Sequence, residues 1–186
     1  MYHFRVVVAM LAVVALSGCA TPVTYAVAPA PPANEPYRLG SGDRLRVVVF
    51  GQDNLSNSYS VDSAGFISMP LIGRVRATGA TTPELEKTIE ARLRQGFLRE
   101  PSVSVEVEAY RPFFVLGEVA DAGQYPYFNG VTVQKAVAVA GGFAPWAVES
   151  GVEITRDVDG RAVTFPAPLW FPIRPGDAIT VAKCFF

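Results

Sequence analysis

The sequence predicts an α+β protein made of two small units in tandem. Three observations carry that expectation: short segments rich in β-branched residues, one long stretch with helical periodicity, and Gly-Asp or Asp-Gly turns between them. Half of the 186 residues are hydrophobic and 18% are charged, which suits a buried core and excludes a disordered chain. A formal net charge of -1 lacks the clustered basic excess that nucleic acid requires, so no nucleic-acid partner is expected.

The chain opens with Arg5, an apolar run from Val6 to Leu16, and then Ser17-Gly18-Cys19. The run is well short of the ~20 residues that cross a bilayer and suits a signal-peptide core. Leu16-Ser17-Gly18-Cys19 resembles the lipobox of bacterial lipoproteins. That resemblance implies a signal peptide over residues 1–18 and a diacylglyceryl group on the sulfur of Cys19. With Ala20 rather than Asp next to it, it also implies sorting to the periplasmic face of the outer membrane. Several acyl chains on one cysteine anchor stably, at about 0.8 kcal/mol per buried methylene.

Removing residues 1–18 would remove the only histidine, His3. No Ser-His-Asp or Cys-His arrangement and no histidine metal site is then expected. If Cys19 carries lipid, no intrachain disulfide is expected either, and Cys184 reads as strand packing.

Residues 19–36 read as a lipidated tether with extended bias, carrying Pro22, Pro29, Pro31, Pro32 and Pro36 and a single charge, Glu35. A first unit is expected over residues 37–109. Leu39-Gly40-Ser41-Gly42-Asp43 is a turn, and Arg44 to Phe50 a strand. Tyr59 to Asp62 and Phe66 to Met69 read as a hairpin about Ser63-Ala64-Gly65, followed by Pro70-Leu71-Ile72-Gly73 and a short strand, Arg74 to Ala77. Residues 81–97 read as the clearest helix: Thr81 and Glu84 form a capping box, Pro83 suits the first turn, and Leu85, Ile89, Leu93 and Phe97 share one face. Ser102 to Glu108 then alternates, with Val103, Val105 and Val107 inward.

A second unit is expected over residues 110–186. Arg111 to Val119 and Gly123 to Tyr127 read as a strand and its return, and Thr132 to Ala140 as a short helix closed by Gly141-Gly142. Val152 to Thr155 and Ala162 to Phe165 flank Asp159-Gly160, a hairpin signal, so the pattern is β-grasp-like. Near the end, Gly176-Asp177 precedes a strand as Gly42-Asp43 does, read equally well as duplication or as a common turn used twice.

Catalysis would have to rest on carboxylates. Glu106 and Glu108 lie about 6.7 Å apart along one strand face, near the separation of inverting glycosidases, but a solvated polar face explains them more simply. Asp157 and Asp159 are turn formers rather than metal ligands. Gly40-Ser41-Gly42 opens a strand, not a helix, and so is no phosphate cradle. The aromatic group Phe113, Phe114, Tyr125, Tyr127 and Phe128 could stack on sugars, though core packing accounts for most of it. The chain is therefore read as no enzyme, with no cofactor and no metal.

Taken together, these motifs resemble the polysaccharide export family of outer-membrane lipoproteins (Wza-like). In the first unit the resemblance rests on Tyr37 to Leu45 with Gly42-Asp43, on Val61-Asp62 with Gly65, on Pro70-Leu71-Ile72-Gly73, and on Pro101-Ser102-Val103. In the second it rests on Gly117-Glu118-Val119, Gly123-Gln124-Tyr125 and Ala140-Gly141-Gly142-Phe143, which resemble an SLBB (soluble-ligand-binding β-grasp) domain. The resemblance implies an export domain followed by one SLBB domain. It further implies a homo-oligomeric ring that passes capsular or extracellular polysaccharide, and docking to an inner-membrane copolymerase that is often tyrosine-kinase-linked. The chain stops at Phe186 just after a predicted strand, so it reads as a short member without the C-terminal transmembrane helix of the best-known members, and a separate protein could supply the pore. The runner-up reading is a monomeric periplasmic sugar-binding lipoprotein, and a carboxylate-dependent glycan hydrolase comes third.

Overall fold

Alternation decides the first sheet. In Arg44–Val49 (β1), Leu45, Val47 and Val49 are buried while Arg44 and Arg46 face out, so one side must be covered. Part of the cover is the helix Thr82–Arg94 (α1), which packs along Val103–Ala109 and whose Leu85, Ile89 and Leu93 are fully buried in the same core at four-residue spacing. Burying each such side chain contributes about 1.5–3 kcal/mol. At the start of α1 the Thr81 amide donates to Glu84 Oε2 at 2.8 Å, as the capping box requires. Phe97 does not continue the apolar face: α1 ends at Arg94, the chain turns through Gly96 at φ 104°, and Phe97 is left exposed.

The computed structural model describes residues 36–158 and 160–184. The expectations for residues 1–18, for Cys19 and for most of the tether lie outside the described residues.

The first sheet has the order β2-β1-β5, with Asn57–Ser60 (β2) and Val103–Ala109 (β5) both antiparallel to β1. The expected hairpin between residues 59–62 and 66–69 is not how the strands pair. Phe66–Met69 (β3) pairs instead with Gly73–Arg76 (β4) in a separate two-stranded sheet. The turn at Asp62–Gly65 does form, but the chain before it stays tied to β1: beyond the β2 ladder, the Val61 amide donates to the Asp43 carbonyl and the Val61 carbonyl accepts from Gly42. Ile67, Met69 and Val75 close the first core beneath α1 and β1.

The second unit is a five-stranded sheet of order β7-β6-β10-β8-β9. Its strands are Phe113–Gly117 (β6), Gly123–Tyr125 (β7), Val152–Val158 (β8), Arg161–Ala167 (β9) and Ala178–Val181 (β10), with the helix Val133–Val139 (α2) packed on one face. Sequence order hides the topology, since β10 inserts between β6 and β8, parallel to the first and antiparallel to the second. Phe113, Val115, Ile154, Ile179 and Val181 from the sheet, with Val133, Ala136 and Val137 from α2, form a second core that shares no residue with the first. The Thr132 side chain caps α2, and Gly142 closes it by donating to the Val137 carbonyl at 2.9 Å. Cys184 is disulfide-bonded, against the expectation of no intrachain disulfide, and its partner lies outside the described residues.

Candidate functional site

Most of the singled-out motif residues build turns and close approaches. The Asp62 carboxylate accepts from the amides of Ala64 and Phe66 and from Arg74 at 3.1 Å, so the Phe66 amide above all holds its carboxyl below the usual range. A Cβ on Gly65 would come within 2.3 Å of Thr78 Oγ1. Pro70 and Gly73 bracket the β3–β4 turn. Gly117 lets β6 lie against β10: a Cβ there would be 2.1 Å from the Val181 carbonyl oxygen. The Glu118 amide donates to that same carbonyl, and the Glu118 carbonyl accepts from Ala144. Gly123 opens β7, and Gly141 faces Ala120, whose Cβ would be 2.9 Å from an added one.

One group of residues converges at the junction of the two cores. Asp43 is fully buried, and its carboxylate is filled by four donors. Oδ2 accepts from Tyr37 Oη at 2.6 Å, from the Gly40 amide at 2.8 Å and from Arg111 Nη1 at 3.4 Å; Oδ1 accepts from the Arg111 amide at 2.8 Å. Arg111 also donates from Nη1 to Tyr37 Oη at 3.0 Å and from Nε to the Pro175 carbonyl at 3.0 Å. Burial, then the bond to Asp43, pushes the Tyr37 hydroxyl far above the ordinary tyrosine range, so it stays a neutral donor.

The second Gly-Asp turn repeats the first. The Asp177 amide donates to the Arg174 carbonyl at 3.1 Å while its Oδ2 accepts from the Arg174 amide at 2.7 Å, as the Asp43 amide and carboxylate do with Gly40. Asp177 is completed by Arg156, where Asp43 takes Arg111. The repeated dipeptide is visible in the sequence, but the roles of Tyr37, Arg111 and Arg156 are not: Arg111 and Arg156 meet their aspartates 68 and 21 residues away, and Tyr37, though six residues from Asp43, carries no periodic signal.

The expected polar faces are present. Glu108 pairs with Arg44 at 3.0 Å, and Glu106 lies opposite Arg46 on the same exposed face. Glu106 also borders a cleft of about 330 Å³ lined by Tyr37, Pro83, Val107 and Tyr110. Among the described residues no group of His, Cys, Asp or Glu could hold a metal, and no helix is long and apolar enough to cross a membrane. The aromatic group divides: Phe113 is buried with Tyr125 stacked on it at 5.9 Å, whereas Phe114 and Phe128 are exposed.

Comparison with known proteins agrees with this two-part architecture. Residues 31–108 match the family model described as "Polysaccharide biosynthesis/export protein", and residues 112–166 match the SLBB domain. The chain is 38% identical over 133 residues to "Exopolysaccharide production protein ExoF" of Rhizobium meliloti, covering 65% of this chain and 31% of that protein. It is 28% identical over 171 residues to "EPS I polysaccharide export outer membrane protein EpsA" of Ralstonia solanacearum, covering 77% and 45%. It is 24% identical over 114 residues to "Polysialic acid transport protein KpsD" of Escherichia coli, covering 60% and 20%. The chain thus spans less than half the length of each of these relatives.

Proposed function

The chain is built from a polysaccharide biosynthesis/export domain followed by an SLBB domain, and from that premise we propose that it is an outer-membrane component of polysaccharide export, assembled as a periplasmic ring through which capsular or extracellular polymer passes. The observation that carries this reading is the order and extent of the two domain matches, which together run from residue 31 to residue 166. Its role is transport rather than catalysis. An inner-membrane copolymerase is the expected partner, and Cys19, after cleavage of residues 1–18, the expected anchor at the end of the tether 19–36. The export domain is assigned to residues 37–109 and the SLBB domain to 110–186.

Two features of the sheets support assembly by strand addition. The first half of the outer edge of β5 is occupied within the chain, since its Val103 and Val105 amides donate to Glu90 Oε1 and Glu86 Oε1 of α1. Among the described residues the outer edge of β9 pairs with no strand. Val158 lies opposite Arg161 across a tight turn, so the amides of Ala162 and Thr164 point away from β8, while Pro166, which has no amide, ends the outward row of donors. Arg161 is the only charged residue of this strand.

A strain lacking the gene tests the reading: extracellular high-mass polysaccharide should disappear and return on complementation. Unchanged secretion, with no second copy of the gene, would sink it. Intact mass of the purified protein tests the anchor. With two cysteines in the chain, the disulfide at Cys184 and a thioether lipid on Cys19 exclude each other within one chain, so the anchor requires a lipidated form in which Cys184 is not bonded to Cys19. A lipid-sized mass increment lost in Cys19→Ser supports anchoring, and an unlipidated, reducible form overturns it.

The sugar-binding reading draws on a different surface. On the uncovered face of the second sheet, Phe114 and Leu116 are exposed beside Gln124, and Thr155 and Thr164 meet through their hydroxyls at 2.9 Å. Measurable oligosaccharide binding by a monomer, without ring assembly in detergent, would favour it.

A further inference from the structure

The two cores share no residue, so something other than continuous packing must set the angle between them. The covalent link is short: β5 ends at Ala109 and β6 begins at Phe113. Around that link lies a small set of contacts. Tyr110 stands edge-on to Tyr37 of the first unit, with ring centroids 4.9 Å apart, and edge-on to Tyr127 of the second at 5.4 Å. Beside them, Arg111 hydrogen-bonds to both units.

Its guanidinium donates in two directions, to Asp43 and Tyr37 on one side and to the Pro175 carbonyl on the other. Both Gly-Asp turns are shaped around it. A Cβ on Gly40 would sit 2.1 Å from Arg111 Nη1, one on Gly42 3.4 Å from Arg111 Cβ, and one on Gly176 2.8 Å from Arg111 Nε. Three glycines from two turns, more than a hundred residues apart in the chain, therefore leave room for the same side chain. Asp43 is fully buried, so its charge needs this cation, whereas Asp177 has its own in Arg156. The burial that stabilises each unit is independent of Arg111.

We propose that Arg111 is a latch between the units: a positioning residue that fixes their angle without belonging to either core, and on which export depends though it need not touch polymer. The export part of this inference rests on the proposed function above, and the latch itself does not. Lysine cannot replace it, because one ammonium on a flexible stem cannot donate to Asp43 and to the Pro175 carbonyl as the planar fork does.

Hydrogen exchange on the full chain, read by mass spectrometry, tests the latch in any oligomeric state. In Arg111→Ala, peptides over 37–44, 109–113 and 173–178 should exchange at least about tenfold faster, while those over 84–94 and 133–139 keep their protection. Gly40→Ala is the second variant, for the case that Arg111→Ala does not fold. Its φ is not in the left-handed region, and the clash it creates is with the movable end of Arg111, so it should loosen the same peptides. Arg111→Lys should fall between wild type and Arg111→Ala. Unchanged exchange at the junction in the folded variants overturns the latch, and so does loss of protection in the cores together with it.

Secretion is then measured in the same variants at equal protein level. Reduced polymer with protected cores supports the positioning role. Full secretion from a loosened variant overturns that role while leaving the latch. Export that survives deletion of the gene overturns the proposed function instead.

Discussion

Arg156 grips both carboxylate oxygens of Asp177, donating from Nε at 2.8 Å and from Nη2 at 2.7 Å, inside the core of the second unit. The pair is nearly dry, with side-chain exposures of 11% and 1%, and the guanidinium lies 5.5 Å from the Phe165 ring centre and 6.0 Å from that of Phe171. The paired fork satisfies a charge that would otherwise be stranded at the entrance to β10. Arg156→Ala should therefore cost about 3–5 kcal/mol, most of it the penalty of an unpaired buried Asp177. Denaturant unfolding followed in the second unit checks this, and a loss below about 1 kcal/mol would show that water reaches the carboxylate.

The motif glycines should differ sharply in their tolerance of alanine. Gly117 has φ 84° and would drive its Cβ into the Val181 carbonyl, so Gly117→Ala should destabilise by at least about 2 kcal/mol. Gly123 has no atom within 4 Å of an added Cβ and no left-handed φ, so Gly123→Ala should stay within about 0.5 kcal/mol. Thermal melts of the two variants side by side make the comparison, and equal losses would contradict it.

Alkaline pH should weaken the fold through Tyr37. Its hydroxyl is raised in the folded chain, by burial first and by the bond to Asp43 second. Above about pH 10 the unfolded chain releases this proton and the folded chain keeps it, so stability present below that pH is lost as pH rises. Tyr37→Phe should flatten the decline above about pH 10, measured as denaturation midpoint against pH. Burial also raises Tyr59 and Tyr127, so some slope should persist.

Assembly through β9 makes a fourth expectation, conditional on the ring. Ala162→Pro removes an amide that points away from β8, so the hairpin should keep its circular dichroism. The oligomer seen by light scattering in detergent should shrink. An unaltered oligomer would place the interface elsewhere.

Local chemistry was legible in the sequence and pairing was not. The capping box, the buried stripe Leu85-Ile89-Leu93 and the alternation of Val103 and Val105 follow from neighbours a few residues apart, and each stands where periodicity put it. Alternation says which face a strand buries but not which strand it joins, so from sequence β3 reads as the partner of β2, whereas its ladder is with β4. Phe97 kept the four-residue rhythm, but the helix had already ended before Gly96. The junction was hidden for the same reason as the pairing. Arg111 looks like a strand start until Asp43 and Pro175 are brought beside it, and the two Gly-Asp turns reveal a shared geometry only when their amides and carboxylates are compared.

The central place of β10 has a consequence for how the chain acquires its shape. β6 cannot complete its ladder until a strand roughly sixty residues later arrives, so closing the second sheet carries a loop-closure entropy that neighbouring strands avoid. In the first unit the β3–β4 hairpin and α1 form from neighbouring residues, although its sheet too awaits β5. Until Ala178–Val181 docks, the edges of β6 and β8 stand open to the wrong strand. Refolding should show a late kinetic phase reported by the second unit, slowed by substitutions at Ile179 or Val181 and indifferent to those in α1.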